Sequence, residues 1–310
     1  MRTYEKIRPA TRRATRIAYL ERVNLAMDYI RNHLSEPIHL TDVARAAMLS
    51  PFHFHRVFQM LVGETIADFA KRLRLEKSLL IMAHSRRSSL TQIALACGFT
   101  SSSDFSRTFR QRFGIAPSRF DIKAWRDEHV QGLQAAAESG AQLHLQSLPQ
   151  GGNPDGFKVK IRALPARTVA YIRVPEPYGK EPVPNAAKRL LAWADRHSLA
   201  RGQWLGYQWD NPELVSPEDC QYHVAVVATD FTPTGEIGRF RFPPMTVAEV
   251  EIRGGIDLEL RAFQWLFGAW LPNSGCVPDD QPCFEAWIGR PFAHGLDYFE
   301  LRVQLPVKKR

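Results

Sequence analysis

Apolar residues recur at helical spacing through the first half of the chain and at strand spacing through much of the second half. In the first half, residues 19–33 and 65–84 keep apolar positions three and four residues apart, which predicts two longer helices. In the second half, short alternating stretches surround two helical stretches, 184–199 and 257–271. The pattern therefore predicts an all-α N-terminal domain followed by an α+β domain.

The second half also contains a weak internal repeat. Thr168-Val169-Ala170 recurs as Thr246-Val247-Ala248, and Tyr207-Gln208-Trp209 has a counterpart in Glu285-Ala286-Trp287, 78 residues further on. We interpret this repeat as two related halves that form an antiparallel sheet about a pseudo-twofold axis, with a cleft between them. The predicted strands are 157–164, 167–174, 203–209, 222–229, 245–252, 282–288 and 298–306.

A helix-turn-helix pattern occurs twice in the first half. Leu40-Thr41-Asp42-Val43-Ala44 aligns with Leu90-Thr91-Gln92-Ile93-Ala94, and Phe54-His55-Arg56-Val57-Phe58 aligns with Phe105-Ser106-Arg107-Thr108-Phe109. A tandem arrangement of this kind can place two recognition helices in successive major grooves on one face of DNA. The repeat therefore predicts a sequence-specific domain that binds double-stranded DNA.

Polar residues mark the ends of these short helices. We expect Thr41 to cap the first helix of the first copy, and Ser50, followed by a proline, to cap the second. In the second copy, Gly98 suits a turn with positive φ, and Thr100 or Ser101 can cap the helix that follows.

The second helix of each copy has a phenylalanine-rich face, which we expect to be buried, and an opposite face that can contact DNA. Arg56 and Arg107 are the strongest candidates, because arginine pairs bidentately with guanine and discriminates by about 1–3 kcal/mol. The alternative is that these residues are simply the solvated outer faces of two amphipathic helices. The predicted DNA-contacting residues are Phe52, His55, Arg56 and Gln59 in the first copy and Ser102, Ser103, Arg107 and Arg110 in the second.

Charge supports the DNA-binding interpretation and helps to divide the chain. Residues 1–155 carry +8 of the net charge of +9, so nearly all the excess lies with the repeated motif. Gln, Ala, Ser and Gly dominate after residue 129, which is typical of a linker. The predicted divisions are a basic flexible arm at 1–18, a DNA-binding domain at 19–125, a linker at 126–156 and an α+β domain at 157–308.

The cysteines, the histidines and the apolar runs indicate which kinds of site and location the sequence does not favour. Four cysteines without paired spacing indicate free thiols, and His53 and His55 point in different directions on a helix, so we expect no metal and no cofactor. No apolar run approaches the roughly 18 residues of a membrane span. The basic start is not followed by the apolar core of a signal peptide. We therefore expect a cytoplasmic protein without membrane contact.

The repeated motif resembles the DNA-binding domain of the AraC/XylS family of bacterial transcription regulators, over about residues 20–124. The resemblance implies that one chain engages an asymmetric DNA site with two helix-turn-helix units, and that RNA polymerase is a further partner. In relatives, the base-reading positions correspond here to Phe52, His55, Arg56, Ser102, Ser103 and Arg107. The resemblance is carried by 40–44, Ser50-Pro51-Phe52-His53-Phe54-His55-Arg56-Val57-Phe58, Ile93-Ala94 through Gly98-Phe99-Thr100-Ser101, 105–109 and Gly114-Ile115-Ala116-Pro117.

Residues 157–308 resemble a GyrI-like domain, the ligand-binding module also found in BmrR-type and Rob-type regulators. The resemblance rests on Asp210-Asn211-Pro212, on Pro282-Cys283-Phe284-Glu285-Ala286-Trp287 and on the last predicted strand. It implies that Glu285 lies in an aromatic cleft and meets cationic or amphipathic small molecules. Strand alternation places Trp287 on the same face as Glu285, and the internal repeat predicts that Tyr207 and Trp209 lie opposite.

Three functional hypotheses follow. The first is a regulator that binds DNA through its N-terminal half and a small-molecule effector through Glu285, Trp287, Tyr207 and Trp209. The second is a hydrolase that uses Glu285 as a general acid or base, although no catalytic triad, metal spacing or phosphate loop supports it. The third makes the C-terminal half a protein-interaction module. For the ligand residues, the alternative is that both tryptophans belong to the core and that Glu285 pairs with a surface arginine.

Overall fold

The computed structural model describes residues 9–84, 88–136, 152–179 and 181–309. The chain divides into two compact units, Met1–Arg126 with Thr232–Gly238 and Asp127–Phe231 with Arg239–Arg310. Within these described ranges, no helix has the length and apolar character needed to cross a bilayer. All four cysteines lie in the described ranges and are free thiols.

The first unit is helical, as predicted. Its longest helix starts at Pro9, so the part of the basic segment from residue 9 onward is helical and is not the flexible arm that we expected; residues 1–8 lie outside the described ranges. The helix over Ile122–Ala136 likewise gives the predicted linker a helical start, and residues 137–151 are not described. The helices are α1 Pro9–Asn32, α2 Leu40–Ala46, α3 Pro51–Val62, α4 Ile66–His84, α5 Leu90–Ala96, α6 Ser102–Phe113 and α7 Ile122–Ala136.

The two helix-turn-helix units, α2–α3 and α5–α6, differ in their turns. Gly98 has φ +84°, and a Cβ there would overlap the carbonyl oxygen of Leu34 and lie 2.9 Å from the Cα of Ser35. The equivalent residue of the first unit, Met48, adopts the same left-handed region at φ 53° and is 67% exposed. The second turn therefore needs glycine both for space and for its positive φ. In the first turn, Met48 has space for its side chain, and the only cost is that of a non-glycine residue at positive φ.

The caps agree with the prediction in part. Ser101 precedes α6, and its side chain accepts a hydrogen bond from the Asp104 amide. Ser50 precedes α3 with Pro51 in the first turn, but in this described segment its side chain makes no cap hydrogen bond. The prediction that Thr41 caps α2 is wrong, because α2 starts at Leu40 and His39 is its N-cap.

The second unit is an antiparallel sheet with helices, which confirms the α+β prediction. Its strands run in the spatial order β1-β6-β9-β8-β3-β4-β2-β5, and β7 pairs with β9. Strands β5 and β7 were not predicted from the sequence. The strands are β1 Lys160–Leu164, β2 Arg167–Pro175, β3 Trp204–Gln208, β4 Gln221–Val227, β5 Ile237–Phe242, β6 Met245–Gly254, β7 Cys276–Pro278, β8 Cys283–Trp287 and β9 Phe299–Lys309.

The sheet order has the same sequence of elements on both sides of the β3–β8 pair. On one side lie β4 and β2 with helix α8 (Pro182–Arg196), and on the other lie β9 and β6 with helix α9 (Ile256–Trp265). Helix α8 packs on β2 and β4, and α9 packs on β6 and β9, so the central pair lies between the two helices. This order supports the predicted repeat, whose pseudo-twofold axis stays a prediction.

The sheet curls around one of its two faces. Strands β5 and β6 lie toward opposite ends of the strand order, yet only two residues separate Phe242 from Met245. Fully extended chain covers at most about 3.6 Å per residue, so the two ends of the sheet must approach each other. One apolar cluster accordingly joins residues from both ends, and we call its side of the sheet the inner face. The cluster contains Val169, Tyr171, Leu205, Tyr207, Ala225, Phe240, Phe242, Met245, Val247, Phe284 and Ala286.

Candidate functional site

Helix α3 presents most of the predicted DNA-contacting residues to solvent. Its apolar face is buried in the core of the first unit, because aromatic and aliphatic side chains recur there at helical spacing. Phe52 is 76% exposed, Arg56 and Gln59 are exposed, and His55 is half-buried. Met60, which the sequence analysis did not select, is also exposed beside Gln59.

Helix α6 repeats this arrangement. Phe105 and Phe109 are buried, Ser103, Arg107 and Arg110 are exposed, and Ser102 is half-buried. The Arg107 guanidinium lies 2.8 Å from the Asp104 carboxylate and its side chain is 80% exposed. Surface ion pairs of this kind contribute about 0–1 kcal/mol, so Asp104 orients Arg107 without preventing contact with a base or phosphate.

A second cluster of polar side chains lies on the outer face of the sheet, opposite the inner face. The Tyr222 hydroxyl on β4 donates a short hydrogen bond to Oε2 of Glu285 on β8. The two side chains meet above β3, where Gly206 pairs with Glu285 in the sheet. Because Gly206 has no Cβ, the backbone of β3 leaves room for the hydroxyl and the carboxylate.

Glu259, in the first turn of α9, completes this cluster. It is 4% exposed and hydrogen-bonds with Glu285, which is half-buried. Burial raises the pKa of both carboxyl groups, and the negative charge of Glu285 raises that of Glu259 further. The helix N-terminus opposes this by about 0.3–1 kcal/mol, against a desolvation penalty of several kcal/mol, so burial dominates.

The Tyr222 hydroxyl is neutral and acts as a hydrogen-bond donor. Burial, followed by the adjacent Glu285, raises the pKa of its hydroxyl well above the ordinary value. The pKa of Glu285 is raised by burial, and the hydrogen bonds from Tyr222 and Glu259 offset part of this increase. The cluster can therefore hold one negative charge on Glu285, the most accessible of its three members.

The structure does not bring the four predicted ligand residues together. Glu285 and Trp287 share the outer face, whereas Tyr207 pairs with Phe284 and belongs to the inner face, as does Trp209. The expectation that Tyr207 and Trp209 face Glu285 across a cleft is wrong. The alignment at 78 residues matches Tyr207 with Glu285, but the sheet register pairs Glu285 with Gly206, and a shift of one residue reverses the face.

Tyr207 and Trp209 instead form part of an aromatic core. Tyr207 is 2% exposed, and its ring stacks on His223 at a centroid distance of 4.7 Å. Trp209 stacks on Phe242 at 6.1 Å. These contacts favour the interpretation of both residues as core residues.

Trp287 lies between the polar cluster and an open groove. It follows Glu285 by two residues on the same face, about 7 Å along the strand, and hydrogen-bonds with Tyr222. The groove is about 450 Å³ in volume and is open to solvent. Its lining consists of Ala200, Arg201, Gly202, Gln203, Trp204, Trp287, Gly289 and Arg290.

Neither Tyr222 nor Glu259 was selected from the sequence. Tyr222 occupies an ordinary strand position, and Glu259 resembles the acidic residues that commonly begin helices. In the described ranges, no three His, Cys, Asp or Glu side chains lie close enough to hold a metal ion. The arrangement is suited to binding a cation or to moving a proton at Glu285.

Comparison with known proteins gives both units a family. Residues 43–121 match the family described as "Helix-turn-helix domain", and residues 157–308 match the "GyrI-like small molecule binding domain". A DNA gyrase inhibitor from Edwardsiella piscicida is 37% identical over 162 residues, which are 49% of this chain and 99% of that protein.

Regulators match the first unit. The probable transcriptional regulator LumQ from Photobacterium leiognathi is 33% identical over 105 residues, 33% of this chain and 42% of LumQ, so the chain spans less than half of LumQ. A solved AraC-type regulator from Chromobacterium violaceum is 28% identical with a TM-score of 0.30, and the match covers 33% of this chain and 89% of that chain.

Fold and sequence together define a transcriptional regulator that joins a DNA-binding domain to a small-molecule-binding domain. The tandem units α2–α3 and α5–α6 are the DNA-binding part, and the helix-flanked sheet is the small-molecule-binding part. The chain carries an AraC-type helix-turn-helix domain, and its C-terminal half belongs to the GyrI-like family.

Proposed function

We propose that this protein recognises an operator through α3 and α6 and changes its activity when a cationic or amphipathic small molecule binds beside Glu285. The proposal of a ligand site is supported by the polar cluster of Tyr222, Glu285 and Glu259, which lies between α8 and α9. It holds a half-buried carboxyl group two residues before Trp287, and Trp287 lines the groove together with Arg201 and Arg290. The divisions at 19–125, 126–156 and 157–308 belong to this proposal, whereas the arm predicted at 1–18 is helical from residue 9 onward.

Exposed side chains at equivalent positions support the DNA part. Arg56 on α3 and Arg107 on α6 project from helices whose opposite faces are packed. Each can pair with guanine in the major groove, and the surrounding basic residues supply phosphate contacts. Double-stranded DNA is therefore the first proposed partner and RNA polymerase a further one, since a regulator of this class acts on transcription.

A cationic ligand is favoured because the Glu285 carboxylate is partly desolvated and attracts a positive charge. A half-buried carboxylate has lost part of its hydration, so a cation that reaches it gains more than it would from an exposed acid. Trp287 is mostly buried but lines the groove, and a cation that reaches an aromatic face gains about 0.5–2 kcal/mol. A ligand with an apolar body and one positive group therefore fits better than a small inorganic ion.

Two experiments on the full chain test this proposal. Selection from random duplexes should enrich one operator, and protein without any sequence preference would contradict the DNA part. Tetraphenylphosphonium should bind to the wild type, and Glu285→Gln should weaken that binding. Glu251→Gln is the matched control, because it makes the same change at a 40% exposed side chain elsewhere in the sheet. Equal affinity in the wild type and Glu285→Gln would contradict the ligand part.

The second candidate function is catalysis at the same cluster. A carboxyl group with a raised pKa beside a tyrosine hydroxyl is a combination that can donate a proton to a leaving group. A hydrolase of reactive small molecules would show turnover that disappears in Glu285→Gln and persists in Glu251→Gln. Binding of such compounds without any product formed would favour the regulator instead.

A further inference from the structure

The proposed function uses the charge of Glu285 and leaves a second buried acid unexplained. Glu259 is 4% exposed, whereas Glu285 is half-buried and nearer to solvent. The two carboxyl groups hydrogen-bond with each other. Two carboxylates cannot share a hydrogen bond unless one of them carries a proton.

We propose that Glu259 is a positioning residue that keeps its proton and donates it to Glu285, so that the site presents one oriented negative charge to a ligand with a single positive charge. This inference rests on the proposed function and specifies the class of ligand. A singly charged ligand would neutralise the site completely, whereas a doubly charged one would leave an uncompensated charge.

The hydrogen-bonding partners assign the proton to Glu259. Tyr222 on β4 is a neutral donor, so Glu285 on β8 receives one hydrogen bond from it and a second from Glu259 on α9. Of the two acids, Glu285 is the one whose hydrogen bonds stabilise the charged form, and this effect opposes the larger effect of burial, which raises its pKa. Glu259 has the more buried position, where the neutral form is favoured. The neighbouring Cys283 stays a neutral thiol, since burial raises its pKa to about 12.

The first test needs no ligand. The infrared spectrum of the full-length wild type at neutral pH should contain the carbonyl stretch of a protonated carboxylic acid. This band should be absent from the spectrum of Glu259→Gln, so that it appears in the difference between the two spectra. The band should persist in Glu285→Gln, because the glutamine carbonyl still accepts the proton of Glu259. Absence of the band from the wild type, or its loss in Glu285→Gln alone, would overturn the assignment.

The second test separates hydrogen bonding from charge. Glutamine at position 259 keeps an N–H donor, so Glu259→Gln should bind tetraphenylphosphonium within about twofold of the wild type, whereas Glu259→Leu should bind about tenfold more weakly. If Glu259→Gln loses as much affinity as Glu259→Leu, the charge of Glu259 matters and the proposal is wrong. If Glu259→Leu does not fold, two measurements still test the role of Glu259. They are the affinity of Glu259→Gln relative to the wild type and the infrared band.

These outcomes are distinct from failure of the proposed function. If Glu285→Gln bound the probe like the wild type, the ligand site would lie elsewhere, but the infrared band would still report whether Glu259 is protonated. If the band were absent while Glu285→Gln lost affinity, the proposed function would stand and the role of Glu259 would fail.

Discussion

The Tyr222 hydroxyl occupies space that a side chain at Gly206 would need. A Cβ at position 206 would overlap that hydroxyl and lie 2.6 Å from Oε2 of Glu285. Tyr222 and Glu285 belong to the strands on either side of β3, so they can meet only by passing over it. The glycine therefore determines whether the polar cluster can form.

Gly206→Ala should separate Tyr222 from Glu285 and weaken binding of a cationic probe. Forcing an extra methyl group into a packed site typically costs about 1–3 kcal/mol, and the lost hydrogen bond removes part of the support for the charge of Glu285. Calorimetric titration with tetraphenylphosphonium measures the effect. Gly268→Ala is the control, because a Cβ there meets no atom within 4 Å. Unchanged affinity in Gly206→Ala would show that the Tyr222 contact is dispensable.

Arg56→Ala and Arg107→Ala should each relax sequence preference at a few base pairs. Loss of a bidentate pair with guanine removes about 1–3 kcal/mol of discrimination, whereas loss of a phosphate contact weakens all sequences alike. Competition binding against single-base variants of the selected operator distinguishes the two effects. Arg45→Ala, a 78% exposed arginine on α2, is the control and should leave the preference unchanged. Uniform weakening in both test variants would assign them to the DNA backbone.

Ser101→Ala should destabilise the first turn of α6 by about 1 kcal/mol, because its side chain caps the Asp104 amide. Ser50→Ala makes the same change before α3 and should cost less, since in this described segment no cap hydrogen bond is lost. Hydrogen exchange of peptides from the two helices measures both effects within the intact protein. Equal loss of protection would mean that the two caps function alike.

The free energy of unfolding of the second unit should decrease with rising pH in the wild type. In Glu259→Gln it should decrease less. The pKa of Glu259 is raised on folding, so the folded state binds more protons than the unfolded state once the pH exceeds about 4.3. Each pH unit above that value then costs up to about 1.4 kcal/mol, until the folded group also ionises. Calorimetry across this range should show the stability advantage of Glu259→Gln growing with pH. A constant difference would show that Glu259 does not titrate in this way.

Local patterns in the sequence predicted the helices and their exposed faces well. The phenylalanines of α3 and α6 recur at helical spacing, which determines the buried side, and the arginines between them follow as exposed. The strands were found where apolar and polar residues alternate. Strand β5 also alternates, with Phe240 and Phe242 buried and Arg239 and Arg241 exposed, although it was not predicted from the sequence.

The ligand cluster could not be predicted in the same way, because it depends on register. Whether Tyr207 or Gly206 faces Glu285 changes with a shift of one residue, and the sequence repeat does not specify that shift. Glu259 comes from a helix that contacts β6 and β9, far from Glu285 along the chain. Only the packing of α9 reveals that this acid is buried next to a second one.

The central position of β9 determines when the second unit can fold. This strand separates β6 from β8 and pairs with both, and β1 joins the sheet only through β6. During synthesis, the two halves of the sheet therefore stay unjoined until β9 emerges from the ribosome, and such long-range pairings form slowly. The buried core of the first helix-turn-helix unit contains only residues between Val23 and Leu73. Its DNA-binding helix can therefore pack during synthesis while the ligand-binding sheet is still incomplete.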